Sequence, residues 1–204
     1  MLPLHIFEER YKTMINGCIE DDVPFGVVLL DGKEESPSSI SKVGVLARVA
    51  RVERLEDGRM NVLTEGETRF RIVRFNESEP HWCATVELVD DTPELDSSLE
   101  SMSSEVGELY MEAYRKGLAL TGERPGTLRL PDSASDLSFM VSYVLDMEME
   151  EKQRLLEMTS TRERLSALII YLRNANERLE QQIRQKEIGE TARGNGDLGR
   201  PGKK

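Results

Sequence analysis

Hydrophobic spacing along residues 1–90 switches between two periods. From Phe7 to Asp21 the apolar side chains Tyr11, Met14, Ile15, Cys18 and Ile19 recur at i, i+3, i+4, i+7 and i+8. That spacing lines one face of a helix of about three turns, which Asp21, Asp22 and Pro24 bring to an end. Phe25–Leu30 is an unbroken apolar run between turn-forming residues, the pattern of a short buried strand. Asp31–Ser41 is polar, holds Gly32 and Pro37, and reads as an exposed loop. Val43–Leu55 alternates like a half-buried strand, but with no clean face: Val45, Ala47 and Val49 share one parity, and Leu46, Ala50 and Val52 the other. Glu56-Asp57-Gly58-Arg59 is a hairpin signal, because Asp-Gly supplies the positive φ of a tight turn. The strand returns over Met60–Thr64, is interrupted at Gly66 as at a bulge or bend, and resumes over Arg69–Phe75. Trp82–Val89 predicts one more strand after Pro80. The order fits a small, strongly curved, mainly antiparallel sheet or partial barrel with one early helix. Without helical crossovers between strands it is not a doubly wound fold.

Residues 91–188 carry only the helical period. Leu99, Met102, Val106, Leu109, Met111, Ala113 and Leu118 form an apolar stripe that Gly107 and Gly117 weaken. Ser133-x-x-Asp136 resembles a helix N-cap ahead of the apolar run Leu137–Leu145. Met147–Met158 predicts a short helix, and Ser160-x-x-Glu163 is a capping box for a long one bearing Leu165, Leu168, Ile169, Leu172, Leu179 and Ile183. The expected architecture is therefore α+β: a β domain over 1–90 and a helical bundle over 91–188. Residues 189–204, rich in glycine and poor in apolar side chains, are expected to be a disordered tail.

Charge narrows the partners. The chain's formal charge is -11, divided as -6 over 1–90, -7 over 91–188 and +2 over the tail. An acidic surface argues against nucleic acid and anionic membranes. No stretch reaches 18 apolar residues, and the start lacks a basic, apolar leader, so a soluble, cytoplasmic protein is expected. Two cysteines cannot build a disulfide framework. His81 and Cys83 share a strand face and could combine with His5 and Cys18, but the plainer expectation is core cysteines and boundary histidines; no metal or cofactor is assigned. No phosphate loop, nucleophile elbow or Ser-x-x-Lys pair is present, so no enzymatic activity is expected. Phe139, Met140, Tyr143, Met147 and Met149 gather aromatic and methionine side chains of the kind that adapt to varied partners.

Several ordered motifs resemble one family. Leu2-Pro3-Leu4-His5-Ile6-Phe7-Glu8-Glu9-Arg10-Tyr11 is similar to the opening of the substrate-binding N-terminal domain of Lon proteases. Phe25–Leu29, Val43–Val49, Asp57–Val62 and, most specifically, Glu65-Gly66-Glu67-Thr68-Arg69-Phe70-Arg71-Ile72 continue the pattern, as does Leu145–Glu157. The resemblance covers about residues 2–175 and implies a PUA-like β domain followed by a helical bundle, in a stand-alone member lacking the AAA+ motor and serine–lysine peptidase. It implies that the chain recognises exposed or unfolded protein segments. Small-molecule or modified-nucleotide binding by the PUA-like sheet is the alternative, and weak self-association is allowed for. Pro3, His5, Phe7, Glu8, Arg10, Tyr11, Gly26, Gly44, Gly66, Arg69 and Phe70 become structural motif residues, with Arg69 and Arg71 as ion-pair partners for the helix start. Glu9 stands where the family motif has proline. The resemblance also implies a strand ahead of Leu2, so a missing first strand and an exposed sheet edge are expected. Binding is expected at Phe139–Met149, the Asp31–Ser41 loop and the cleft between the domains.

Overall fold

The structure is a computed structural model; it describes residues 1–30, 32, 36–76, 80–94 and 98–195, excepting the side chains of 190–195. In chain order the elements are β1 (Leu2–Ile6), α1 (Glu9–Glu20), β2 (Phe25–Val27), β3 (Val43–Arg54), β4 (Met60–Asn76), β5 (Cys83–Val89), α2 (Ser98–Thr121), α3 (Ala134–Val144), α4 (Met149–Glu157) and α5 (Thr161–Asn195). They form two compact units, one of Met1–Asp90 with Met149–Thr159, the other of Asp91–Glu148 with the chain from Ser160 onward.

The first unit is an open antiparallel sheet in the order β1-β4-β3-β2, with β5 also on β4. β4 organises it. β3 pairs with Met60–Arg71 along one side of β4, while β1 pairs with Met60–Thr64 and β5 with Arg69–Asn76 along the other. Two bulges explain why Val43–Leu55 has no clean face. Ala47 lies opposite Gly66 while Leu46 lies opposite Thr68, so Glu67 is an extra residue of β4; Val49 and Arg51 face Thr64 and Leu63, so Ala50 is an extra residue of β3. Each insertion inverts the parity of the strand residues beyond it.

Two apolar clusters result. Ile15 of α1 packs with Phe25, Ala47, Met60 and Val62, and Leu4, Ile6, Met14 and Cys18 close over them. Ile40, Phe70 and Ile72 form the other, with Val28, Leu46, Phe75 and Ala84 around them. Gly44 makes this second cluster possible. A Cβ there would lie 2.5 Å from the Val27 carbonyl oxygen, 2.6 Å from Val28 Cγ1 and 2.8 Å from Phe70 Cζ. The β3–β4 turn matches its sequence signal: Gly58 has φ 81°, Leu55 N–H donates to Arg59 O at 2.8 Å, and Gly58 N–H donates to Leu55 O at 3.0 Å.

Helix α4 departs from the sequence reading, which places it in the bundle. It belongs to the sheet unit, where Leu155 is buried and Gln153 Nε2 donates to Val43 O at 2.9 Å. Its apolar stripe is short, and its partner is a sheet face that sequence periodicity cannot see.

The second unit is helical. Ser133 caps α3 by accepting from Asp136 N–H at 3.3 Å, and Ser160 caps α5 by accepting from Glu163 N–H at 3.1 Å, as both motifs predict. Val106, Leu137, Val141, Leu165, Leu168, Ile169 and Leu172 are its buried apolar side chains. The last helix continues through 189–195, where the sequence reading begins its tail, and residues 196–204 of that tail lie outside the described residues.

Candidate functional site

The motif residues at the start of the chain are positioned by β1 and α1. Pro3 lies opposite Leu63 and His5 opposite Asn61 in the β1–β4 register. His5 Nδ1 and Asn61 Oδ1 are 2.8 Å apart, and Arg59 Nη1 donates to His5 Nε2 at 3.4 Å, so Nδ1 carries the proton and donates to Asn61. Phe7 is exposed, its ring 6.2 Å from that of His5. Glu8 holds the N-cap position of α1 with extended backbone; its carbonyl accepts from the Tyr11 and Lys12 N–H groups at 3.1 and 3.0 Å. The Glu8 carboxylate accepts from Arg10 Nε at 2.9 Å, and the Arg10 guanidinium lies 4.5 Å from the centre of the Tyr11 ring.

Arg69 and Arg71, the expected partners of the helix start, each engage other groups. Arg69, 8% exposed, donates from Nη1 to the carbonyls of Leu156 and Met158 at 2.8 and 2.7 Å. It thereby satisfies orphan acceptors at the C-terminal end of α4, where a cation also suits the helix dipole. Arg71 faces Glu87 across β4–β5, with Nε 3.6 Å from Oε1. Phe70 fills the space that Gly26 and Gly44 leave open: Cβ atoms at those glycines would stand 3.0 and 2.8 Å from its Cζ. Gly66 sits at the bulge, with Val45 Cγ1 3.0 Å from where a Cβ would be.

The five side chains nominated for binding are divided between the two units. Phe139, Met140, Tyr143 and Met147 are in the helical unit, and Met149 opens α4 in the sheet unit. Phe139 is engaged internally: the Arg164 guanidinium lies 4.0 Å from the centre of its ring. Met140 and Met147 are half-buried, while Tyr143 and Met149 are exposed, as are Val144 and Ile170. Of the Asp31–Ser41 loop, residues 31 and 33–35 lie outside the described residues.

Arg164 is the polar centre of the helical unit, and it was not legible as such in the sequence. It has no exposed surface and donates from Nη1 to Asp91 Oδ1 at 2.9 Å, from Nη2 to Asp91 Oδ2, and from Nε to Ser138 Oγ at 2.9 Å. Nη2 also reaches the Ser135 and Thr161 hydroxyls at 3.2 and 3.1 Å. Those hydroxyls donate in turn to Asp91 Oδ2, at 2.6 and 3.0 Å. Burial pushes the Asp91 carboxyl up, but the hydrogen bonds from Arg164, Ser135 and Thr161 and the guanidinium charge outweigh it and hold the group at about 2. The arrangement ties the start of the unit to α3 and α5, which is structural work.

Other chemistry has little to build on. Burial, and then the Asp21 carboxylate, push the Cys18 thiol up, so it stays protonated against the core. Among the described residues no group of three or more His, Cys, Asp or Glu side chains could hold a metal ion, and no helix is long and apolar enough to cross a membrane. Solvent-open grooves among the described residues include two, at the bulges and beside α2. One, of about 220 Å³, lies over Arg48–Ala50 and Glu65–Glu67 at the bulges. The other, of about 520 Å³, runs between α2 and Leu130–Asp132, floored by Met111, Leu130 and Leu137.

An exposed apolar row lies at the outer strand of the sheet unit. Val86 and Leu88 of β5 are 36% and 62% exposed, and they stand beside the buried Ile72 and Phe70 in the β4–β5 register. The alternation of Ala84, Val86 and Leu88 was readable in the sequence; that it faces solvent on an edge was not.

Comparison with known proteins places this geometry. Lon protease 2 of Herpetosiphon aurantiacus is 28% identical over 204 aligned residues, covering 94% of this chain and 24% of that protein. Lon protease of Flavobacterium johnsoniae is 27% identical, over 88% of this chain and 23% of that protein. The chain thus spans about a quarter of the length of the curated relatives it matches. In fold it is similar to the crystal structure of a Lon N-terminal domain protein from Xanthomonas campestris, with TM-score 0.60 and 18% identity over 83% of this chain and 88% of that one. It is also similar to the N-terminal domain of Mycobacterium avium complex Lon protease, with TM-score 0.58 and 20% identity over 84% and 89% of the two chains. Residues 1–174 match the family described as the ATP-dependent protease La (LON) substrate-binding domain, so an open sheet unit with its α4 brace and a helical unit are here one member of that family.

Proposed function

We propose that the chain is a non-catalytic, cytoplasmic binding module that takes up exposed or unfolded protein segments. The observation that carries this reading is the family match over residues 1–174, which covers both units and takes in a substrate-binding domain and no catalytic one. The site chemistry supports it: Asp91 and Arg164 are tied up in an internal network, while Val86 and Leu88 expose apolar side chain to solvent on β5. The bulges at Glu67 and Ala50, which bend and twist β4 and β3, support assigning the open sheet to the PUA-like type. Partners are protein or peptide segments, and no membrane or nucleic acid takes part.

The test is an equilibrium titration of the full chain against fluorescently labelled, chemically unfolded casein, without nucleotide. Saturable binding with the casein left intact is the expected result. Absence of saturable binding, or casein cleavage that copurifies with the pure protein, overturns the reading.

A further inference from the structure

We propose that the outer edge of β5 is where a bound segment docks: an extended, basic and apolar peptide adds to it as a further strand. The proposal rests on the peptide-binding reading above and names its surface and its partner's chemistry. β5 pairs with β4, and among the described residues no strand pairs with its other side. A free edge presents a row of unpaired N–H and C=O groups, and proteins ordinarily blunt such rows with proline, lysine, bulges or brevity. Cys83–Val89 has none of these devices, and its one charged side chain is the acidic Glu87. It is seven residues long, holds no proline, lysine or arginine, and the irregularity in its pairing lies on β4 at Val73. β1 differs: its edge carries Pro3, which lacks an N–H.

The side chains add to the backbone argument. Phe70–Leu88 and Ile72–Val86 are cross-strand neighbours, so the buried apolar face of β4 continues onto β5 and meets water there. A strand beyond β5 would set its own apolar residues beside Val86 and Leu88 and complete a third column. On the opposite face Glu87 stands between them, its side chain 62% exposed and only loosely approached by Arg71 at 3.6 Å. A lysine or arginine at the intervening position of the incoming strand would lie beside it. The same charge decides against a second copy of the chain as occupant. Each copy carries -11, which repels another copy and attracts a basic segment. Main-chain pairing also reads shape and parity in preference to sequence, which suits a module meeting many unfolded chains.

The test uses the full chain and a short capped peptide alternating valine with lysine, fluorescently labelled. A second peptide has the same side chains with alternate backbone amides N-methylated, which removes the edge hydrogen bonds. The N-methylated peptide should bind about tenfold or more weakly, since several net hydrogen bonds are lost. Leu88→Ser and Glu87→Lys, both at exposed positions, should weaken the unmodified peptide, and the outward-facing β5 amides should gain hydrogen-exchange protection when it binds. Binding that ignores N-methylation, or that survives both substitutions, overturns edge pairing and leaves the peptide-binding reading intact. Protection in the free chain of the outward-facing β5 amides, those not bonded to β4, whether by a second copy or by another segment of the same chain, also overturns it. Failure to bind either peptide or unfolded casein removes both.

Discussion

The sheet unit and the helical unit are held together by opposite means. Around Gly44 the sheet unit depends on atoms that are not there: β2, β3 and the Phe70 ring approach so closely that one methyl group would collide with three neighbours. Around Arg164 the helical unit depends on atoms that are: one guanidinium joins Asp91, at the start of the unit, to α3 and to the first turn of α5. The sheet can therefore be broken by adding bulk, and the bundle by removing charge. Trp82, the single tryptophan, sits 5.6 Å from Phe75 in the sheet unit, so its fluorescence reports on that unit. Helical circular dichroism is dominated by α2 and α5 and reports mainly on the other.

The largest effect is expected from Arg164→Met. It leaves the Asp91 carboxylate with its hydroxyl neighbours but without its cation, and breaking one side of a buried pair costs about 3–5 kcal/mol. Urea unfolding followed by helical circular dichroism should show that loss. Adding Asp91→Asn to the variant should recover part of it, because the stranded charge is then gone. A loss below about 1 kcal/mol would place the pair among ordinary surface ion pairs.

Gly44→Ala comes next. Contacts of 2.5, 2.6 and 2.8 Å, one of them to backbone, must be relieved by moving strands, and overpacking of this kind costs about 1–3 kcal/mol. The Trp82 transition should shift to lower urea. If only the helical signal shifted, the assignment of Gly44 to the integrity of the sheet unit would be wrong.

The pH dependence separates the units again. The Asp91 carboxyl is held at about 2, below its ordinary 3.8, so its contribution to stability is complete above 3.8 and is lost as the pH falls toward 2. Acid titration should therefore weaken the helical signal across that window, and Arg164→Met should flatten the dependence. An unchanged acid profile in the variant would show that other carboxylates govern acid unfolding.

Much of this contrast was legible from sequence, and unequally. The helical face of α1, the Asp57-Gly58 turn and the two serine caps could be read because each depends on neighbours within a few residues. Gly66 was readable as a bulge for the same reason. Arg164 was not, since nothing near it in sequence distinguishes a buried hub from a solvated arginine; its partner Asp91 is 73 residues away. Family resemblance marks out Arg69, but the carbonyls it serves belong to residues 87 and 89 positions further on, beyond any local pattern. α4 joins the sheet unit and not the bundle, which sequence cannot show, because an amphipathic stripe records that a helix packs on something and leaves the partner unspecified. Of the nominated binding side chains, Phe139 lies against the same hub, and Val86 and Leu88 are not among them because alternation alone does not tell an edge strand from a central one.

The smallest effect sharpens the point about glycine. Gly17 in α1 and Gly117 in α2 are helical, and a Cβ at either would meet nothing within 4 Å. Alanine should therefore keep every native contact while restricting the unfolded chain, a gain of about 0.5–1 kcal/mol at each site. Gly17→Ala should raise the Trp82 transition and Gly117→Ala the helical one, both in the direction opposite to Gly44→Ala. Gly17 and Gly44 lie in the same unit, so a sign difference between them would locate the close approach at the β2–β3–Phe70 contact and not in some general intolerance of the sheet unit to added atoms. Destabilisation by Gly17→Ala would instead mean that α1 is packed against its surroundings more tightly than the open space around that position allows.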